Sequence, residues 1–484
     1  MKELTLKQIY NSLKEDDRIQ KYDFYEKLYL GDHFSAFSIK SEDFKTEYAR
    51  LRYIVCNFAG LVSKVMADML FGEPVSFKDE ENQEFIDALV FENNLNTLFY
   101  EHSLANSYFG DNIFKIRVED NVIKIEDSPP ALYLPELDSG NTRAKPKRSN
   151  LVWKHTVGDD KYIVVESHEP PLVKTRVGRI AKKGEAVVDI DVETFNKLAD
   201  TNYIAEVDTK INRPLVIHVP NYKTRGYFGI SDFIDIQNLL FALNNRMSKV
   251  DNILDRHSDP ILAIPDGVLD EEGTVKKEAL TMFEMDEAGN KPEYIVWNAN
   301  LDSAMKEIDK MVEFLFMFSE TSPDALGLGK GGQAESGRAL KMKLLRTISK
   351  RNRKKIYYDQ AIKDLIFTAE LLAKANGYVV SNDFKNVKPA TPKLPETKWQ
   401  DGVVNDEMER IDIIVKKIEA GVISEKRAIM EVEDVKEEEA DEILKEIGDE
   451  NEKKADFTSF VDNPKKGDKP KKGNKPKKGD EAEE

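Results

Sequence analysis

A single cysteine, Cys56, occurs in 484 residues. One thiol cannot close an intramolecular disulfide or build a cysteine-based metal cluster, and such sparing use fits a reducing compartment. The six histidines, at positions 33, 102, 155, 168, 218 and 257, form no H-x-x-x-H or H-E-x-x-H pair. A zinc site therefore has few candidate ligands, and neither a metal nor a cofactor is expected. No run approaches the ~18 uncharged apolar residues that a membrane-spanning helix needs, and Met1–Lys7 shows no apolar stretch of the kind that begins a signal peptide. A Gly-x-Ser-x-Gly nucleophile elbow is absent from the sequence. Acidic residues such as Asp111 and Glu119 read as solvated surface rather than as a general acid and base. Nothing in these patterns calls for an enzyme.

What is present is charge, unevenly distributed. Lys and Arg number 72 against 89 Asp and Glu, a net of -17, with a pI near 5.1. Such an acidic balance argues against a protein that coats nucleic acid. Residues 401–456 carry 20 acidic and 9 basic side chains, whereas residues 336–358 carry nine cations and no acid. From Asn463 the chain repeats Pro-Lys-Lys-Gly at Pro464, Pro470 and Pro476. Almost devoid of apolar side chains, this tail cannot offset the entropy of ordering and is expected to be disordered. Hydrophobic residues make up 40% of the whole chain, enough for a real core, and the length predicts about three domains.

Periodicity divides the rest. Apolar residues from Leu51 to Leu70 follow the i, i+3, i+4, i+7 stripe of an amphipathic helix, with Gly72 and Pro74 as the stop. Residues 84–91 and 95–108 predict two more helices. The runs 112–118 and 121–126 predict a hairpin about Glu119-Asp120, and β-rich runs follow at 151–157, 161–166, 172–177, 187–192 and 214–219. Residues 1 to about 220 thus read as one α+β domain.

From Phe233 the apolar positions are Phe233, Ile236, Leu240, Leu243, Met247, Val250 and Leu254. Their alternating steps of three and four make a seam for helix-on-helix packing, within the chain or between chains. Leu301, Met305, Ile308, Val312 and Leu315 repeat the pattern. Two such helices flanking a turn-rich segment, 260–300, predict a helical hairpin with a small head. Ser322–Gln333 then forms a glycine-rich loop, and Ser336 is a candidate N-cap for a long basic helix reaching about Ala375. After a proline-rich connector, 401–447 predict short acidic helices that turn at Gly421–Ser424.

Gly327-Leu-Gly329-Lys330-Gly-Gly resembles a phosphate cradle only superficially. A Walker A loop needs glycine five residues before the Gly-Lys pair and Ser or Thr after it. Asp324 and Gly331 occupy those positions. A nucleotide-binding enzyme built on this loop and the basic helix is the weaker alternative.

Five stretches, in order and spacing, resemble the portal proteins of tailed bacteriophages that infect Gram-positive hosts. They are Tyr25–Gly31, Asn57–Val75, Gly229-Ile-Ser-Asp232 running into Leu243-Asn244 and Asp259-Pro260, Glu320-Thr-Ser-Pro323 through Ser336–Leu340, and Gly421–Ser424 before Glu431 and Glu433. The resemblance implies a mainly helical α+β subunit of a ring, usually dodecameric, at one capsid vertex. It implies a wing over 1–228, stem helices at 229–258 and 301–320, a small α/β clip at 259–300 and a tunnel loop at 321–335. Residues 336–400 would form the long helix and return to the wing, 401–450 a helical crown, and 451–484 the tail, which lies outside the family pattern. The implied partners are other copies of the chain, the large terminase subunit, capsid and scaffolding proteins, head-completion or adaptor proteins, and double-stranded DNA passing without sequence preference; no membrane and no cofactor are implied. Leu326, Gly327, Leu328, Gly329, Lys330, Gly331 and Gly332 would face DNA. Lys341, Arg346, Lys350 and Arg353, spread over more than one helix face, would meet DNA or neutralise acids of a neighbouring subunit.

Overall fold

The computed structural model describes residues 3–39, 53–138, 140–141, 144–181, 186–257, 261–263, 293–295, 301–328, 337–400, 407–433, 435 and 437–448. They belong to two compact units, up to Val403 and from Val404 onward, rather than the three that length predicted. The Lys-rich tail and most of the predicted head lie outside the described residues.

Three helices open the first unit: α1 (Leu6–Glu15), α2 (Asp17–Tyr29) and α3 (His33–Ala36). The next, α4 (Phe58–Phe71), begins seven residues later than its apolar stripe predicts. Asn57 is the reason, because its side-chain oxygen accepts the Gly60 N–H at 2.9 Å and caps the helix there. Strand β1 (Ser76–Lys78) leads to α5 (Gln83–Glu92) and α6 (Leu95–Phe109), close to the predicted limits.

Strands β2 (Asp111–Glu119) and β3 (Val122–Ser128) form the predicted hairpin. Its two loop residues, Asp120 and Asn121, both have positive φ, as a tight turn between right-twisted strands requires. A larger antiparallel sheet contains β4 (Tyr133–Glu136), β5 (Arg148–Val157), β6 (Asp160–Glu169), β7 (Leu172–Ile180) and β8 (Val187–Ile190) in that order. One face sets Val152, Ile163 and Val165 against Leu6 and Ile9 of α1. The other sets Tyr162, Val164 and Val177 against Phe195. Phe195 belongs to α7 (Val192–Ala199), a helix that the β-rich reading of this stretch missed; its start is marked by Asp191, whose carboxylate accepts the Thr194 N–H. Strand β9 (Glu206–Asp208) pairs with β7, and β10 (Val216–Pro220) completes the small sheet against β2.

The two seam helices are α8 (Gln237–His257) and α9 (Leu301–Phe318), flanking the short antiparallel pair β11 (Ile261–Ala263) and β12 (Glu293–Ile295). Phe233 and Ile236 sit in the turn before α8 and are fully buried, as are Leu240 and Leu243. With Val250 and the half-buried Met247 they pack on Ile308 and Leu315 of α9, on Tyr25 and Leu28 of α2, and on Ala59 and Val62 of α4. The seam is therefore intrachain packing. Two positions depart from it: Leu254 is 52% exposed, and Met305 faces outward while Ala304 and Met311 pack in its place. A helix of 3.6 residues per turn drifts away from a 3.5-residue pattern, so a straight pair keeps contact over only part of its length.

The single long helix expected from Ser336 divides into α10 (Gly337–Lys343) and α11 (Leu345–Asn376), with Leu344 at the break; Ser336 itself lies outside the described residues. Tyr358, Ile362, Leu365, Ile366, Ala369 and Leu372 of α11 form the spine of the largest core, against Phe71, Phe85, Phe99 and Phe114. Strand β13 (Glu396–Lys398) returns to pair with β1. In the second unit, α12 (Glu407–Glu419) and α13 (Glu425–Glu433) turn at Gly421, φ 67°, as predicted.

Leu243→Asp tests the seam. Placing a carboxylate at this 1%-exposed position is expected to cost at least ~3 kcal/mol, read as a lowered urea midpoint; an unchanged midpoint would mean that the seam opens to water.

Candidate functional site: the root of the glycine loop

The chain leaves α9 through Ser319, Glu320 and Thr321, of which Ser319 and Thr321 are buried. Glu320 takes a left-handed conformation, φ 56°, which swings the backbone out of the helix. Ser322 then caps a 3₁₀ turn, Pro323–Leu326, its hydroxyl oxygen accepting the Asp324 N–H at 3.2 Å, and Gly327 closes the turn at φ 69°. Of the residues expected to face DNA, Leu326 and Gly327 thus belong to a fixed turn and Leu328 is 61% exposed. Gly329, Lys330, Gly331 and Gly332 lie outside the described residues.

This root is fastened to α11 by four side chains. The Lys350 ammonium donates to the Ser319 carbonyl at 2.8 Å, and the Thr347 hydroxyl oxygen accepts the Ser322 N–H at 2.8 Å. Arg346 and Arg353, seven residues apart on one helix face, both donate to the Glu320 carboxylate. On α10, Lys343 stands 3.5 Å from Asp324, and Lys341 is exposed.

Four members of the basic run have acidic partners within their own chain. Lys350 is buried and pairs with Asp232 of its own chain at 3.2 Å, which removes it from contact with DNA or a neighbour. Lys354, also buried, donates to the same carboxylate. Arg346 and Arg353 keep solvent exposure but are engaged by Glu320 of the same chain. These acids lie up to 122 residues away in sequence, so helix periodicity alone could not find them.

Asp232 is the centre of the arrangement. Besides the two lysines, its carboxylate accepts the Ser107 hydroxyl at 2.6 Å and the Asn221 amide at 3.2 Å. Burial alone would raise this carboxyl, but the two ammonium groups and the hydrogen bonds outweigh it and hold Asp232 below the ordinary carboxylate range. Lys354 is drawn the other way: burial lowers it to about 8 against the pull of Asp232, with Lys350 adding like-charge repulsion.

The stretch Gly229-Ile-Ser-Asp232 delivers that carboxylate. A Cβ on Gly229 would stand 2.1 Å from the Gly110 carbonyl oxygen, and Gly110 itself has φ 91°, so two glycines let these two connecting segments pass in contact. The Gly229 N–H donates to Asp111 at 2.7 Å and the Asp232 N–H to the Ser107 carbonyl at 3.0 Å. Asp111 corrects the surface reading of that residue: it is 2% exposed and accepts from the Tyr22 hydroxyl at 3.0 Å and pairs with His218 at 2.6 Å. Further along, Asn244 accepts the Cys56 N–H at 2.9 Å and donates to His33 Nδ1 at 2.7 Å, while His33 Nε2–H donates to the Leu28 carbonyl. Burial lowers the His33 pKa and keeps that ring neutral.

This is an apparatus for holding a loop between two helices. Among the described residues, no three His, Cys, Asp or Glu side chains converge as metal ligands, and no helix is long and apolar enough to cross a membrane. The profile of the family described as "Phage portal protein, SPP1 Gp6-like" matches residues 11–453. The chain belongs to the phage portal protein family. The portal subunit is accordingly a structural connector that serves virion assembly.

No curated protein matches this chain. Among solved structures it is similar to chains of gene transfer agent particles, each at 11% identity. One comes from the virion of the native particle, with TM-score 0.43 over 77% of the portal subunit and 89% of that chain. One comes from the neck of the native particle with C12 symmetry, TM-score 0.40 over 77% and 89%. The third comes from the neck of the empty particle with C6 symmetry, TM-score 0.44 over 81% and 91%.

Asp232→Ala, which strands two buried ammonium groups, is expected to cost ~3–5 kcal/mol, whereas Glu320→Ala, between exposed arginines, should cost under ~1 kcal/mol. Because the folded Asp232 pKa is depressed, its contribution is present above ~4 and disappears as pH falls below that value. Urea titrations of the wild type and Asp232→Ala should therefore differ at neutral pH and converge in acid. Equal midpoints at neutral pH would contradict the pairing.

Proposed function

We propose that copies of this chain form a ring, twelve in the full assembly, at one capsid vertex, and that double-stranded DNA enters and later leaves through its central channel. The observation that carries this reading is the loop root: a glycine-rich segment anchored at its base by Lys350, Thr347, Arg346 and Arg353, with an exposed Leu328 leading into Gly329–Gly332. The base of this segment is held between α9 and α11. Residues 326–332 would line the channel, with Lys330 touching phosphates only transiently.

The charge favours passage over retention. Each phosphate neutralised by Lys or Arg releases counterions and adds affinity, and a chain with a net charge of -17 avoids that grip. Lys350 and Lys354 of α11 are buried on Asp232 of the same subunit, which supports this reading. Force would come from a separate ATP-driven motor, the large terminase subunit, docking on a clip formed by 259–300. Capsid and scaffolding proteins would contact a wing spanning 1–228, and head-completion or adaptor proteins would take the terminase's place after packaging. The stem would comprise 229–258 and 301–320, the crown 401–450, and assembly would take place in the host cytoplasm before the subunit resides in the virion.

Purified protein is expected to show rings with a central hole by negative-stain imaging. Deleting Gly327–Gly332 should leave those rings intact while reducing the DNA packaged per particle at least tenfold, roughly the effect of removing the moving contact from the channel. Normal packaging by the deletion variant would refute the loop's role, and loss of the rings would make the loop an assembly element instead.

A further inference from the structure

Helix α11 has apolar residues on two sides. Tyr358, Ile362 and Leu365 pack into the core, whereas Met342 of α10 and Leu345 and Ile356 of α11 stand 71%, 62% and 68% exposed. Met342, Leu345, Ser349, Asn352 and Ile356 step by three, four, three and four, the spacing with which one helix receives another. The equivalent spacing from Phe233 is filled within the chain; this one is left open to solvent.

A second open face ends α9. Phe314, Met317 and Phe318 are all exposed, on the side turned away from the buried Ile308 and Leu315, and the rings of Phe314 and Phe318 stack at 5.9 Å. Clustered exposed Phe, Met, Leu and Ile are the composition of a contact between proteins rather than of a solvated surface.

The charges around the two faces differ in sign. Residues 336–358 carry nine cations and no acid. Lys350 and Lys354 are buried on Asp232, but Arg346 and Arg353 remain partly exposed beside Leu345 and Ile356 even as they hold Glu320. Helix α9 carries Asp302, Glu307, Asp309 and Glu313 against Lys306 and Lys310.

We propose that the exposed face of α9 in one copy of the chain receives the Met342–Ile356 face of α10 and α11 in the next copy. The inference rests on the ring reading above and names the contact that would close the ring. A contact in which both copies use the same patch is complete after two subunits, so a ring requires each copy to carry two different, complementary faces. These two faces meet that requirement: both are apolar at the centre, one is rimmed by arginine and the other by carboxylates, so unlike faces attract and like faces repel. A second copy also fits the basic face better than DNA does. A duplex offers phosphates to Arg346 and Arg353 but no apolar surface for Leu345 and Ile356.

Size-exclusion chromatography with light scattering on the full chain tests this with Met317→Asp, which spoils one face, and Ile356→Asp, which spoils the other. The wild type is expected as rings. Each variant alone should lose at least ~90% of its rings, the effect of removing one central anchor from an interface. An equimolar mixture of the two should form heterodimers that grow no further, because each variant keeps one intact face and the intact faces can meet only once. Val188→Asp, at an exposed apolar position on β8, should keep its rings. Rings from either face variant alone, or a mixture that stays monomeric or assembles into rings, would overturn this contact while leaving the ring reading in place. A wild type that stays monomeric would overturn both. Both aspartates replace exposed side chains, so each variant should keep the wild-type circular dichroism; if either loses it, Phe314→Gln and Leu345→Gln, on the same two faces, carry the same test.

Discussion

One buried carboxylate joins the helices around the root of the glycine loop. Asp232 sits at the entrance to α8, is fastened to α6 through Ser107, and receives two ammonium groups from α11. A buried anion is tolerable only when its charge and hydrogen-bonding capacity are met, so the position of α11 is tied to that of α8. Lys350 extends the tie, because the same ammonium that pairs with Asp232 also holds the Ser319 carbonyl at the loop root. Helices α8 and α11 and the root of the glycine loop thus share one electrostatic centre.

The strength of these attachments differs with their exposure. The Asp232 pairs are shielded from solvent, where an ion pair is hard to break one partner at a time. The Glu320 pairs with Arg346 and Arg353 are partly exposed, where such contacts are weak and salt-sensitive. The root consequently has a shielded inner fastening and a solvent-exposed outer one.

Much of this was legible in the chain. The hairpin turn, placed one residue early at Glu119-Asp120, the seam from Phe233 to Val250 and the break at Gly421 follow from local rules: turn residues between alternating runs, spacing of three and four, and glycine where φ is positive. The helix start at Asn57 was misjudged because apolar spacing continues upstream of a capping side chain that outranks it. The intrachain partners of the basic run were hidden for a different reason. Its spacing was visible, but Asp232 and Glu320 are brought to it only by the tertiary fold. Likewise Asp111 looked like a surface acid until its partners, Tyr22 and His218, arrived from opposite directions. Gly229-Ile-Ser-Asp232 carries part of the family resemblance, and its physical reason, a crossing that leaves no room for a Cβ, lies in the tertiary fold.

The net charge of -17 and nine clustered cations looked contradictory for a partner of DNA. They are reconciled if α11 directs Lys350 and Lys354 inward to Asp232 and leaves the glycine loop as the contact with a passing duplex. A side-chain-resolution cryo-electron microscopy map of the assembled ring tests that claim most directly. The account predicts residues 326–332 at the narrowest part of the central channel, with Lys350 and Lys354 on Asp232 of their own subunit. A loop on the outer surface, or those lysines exposed to the channel, would contradict it.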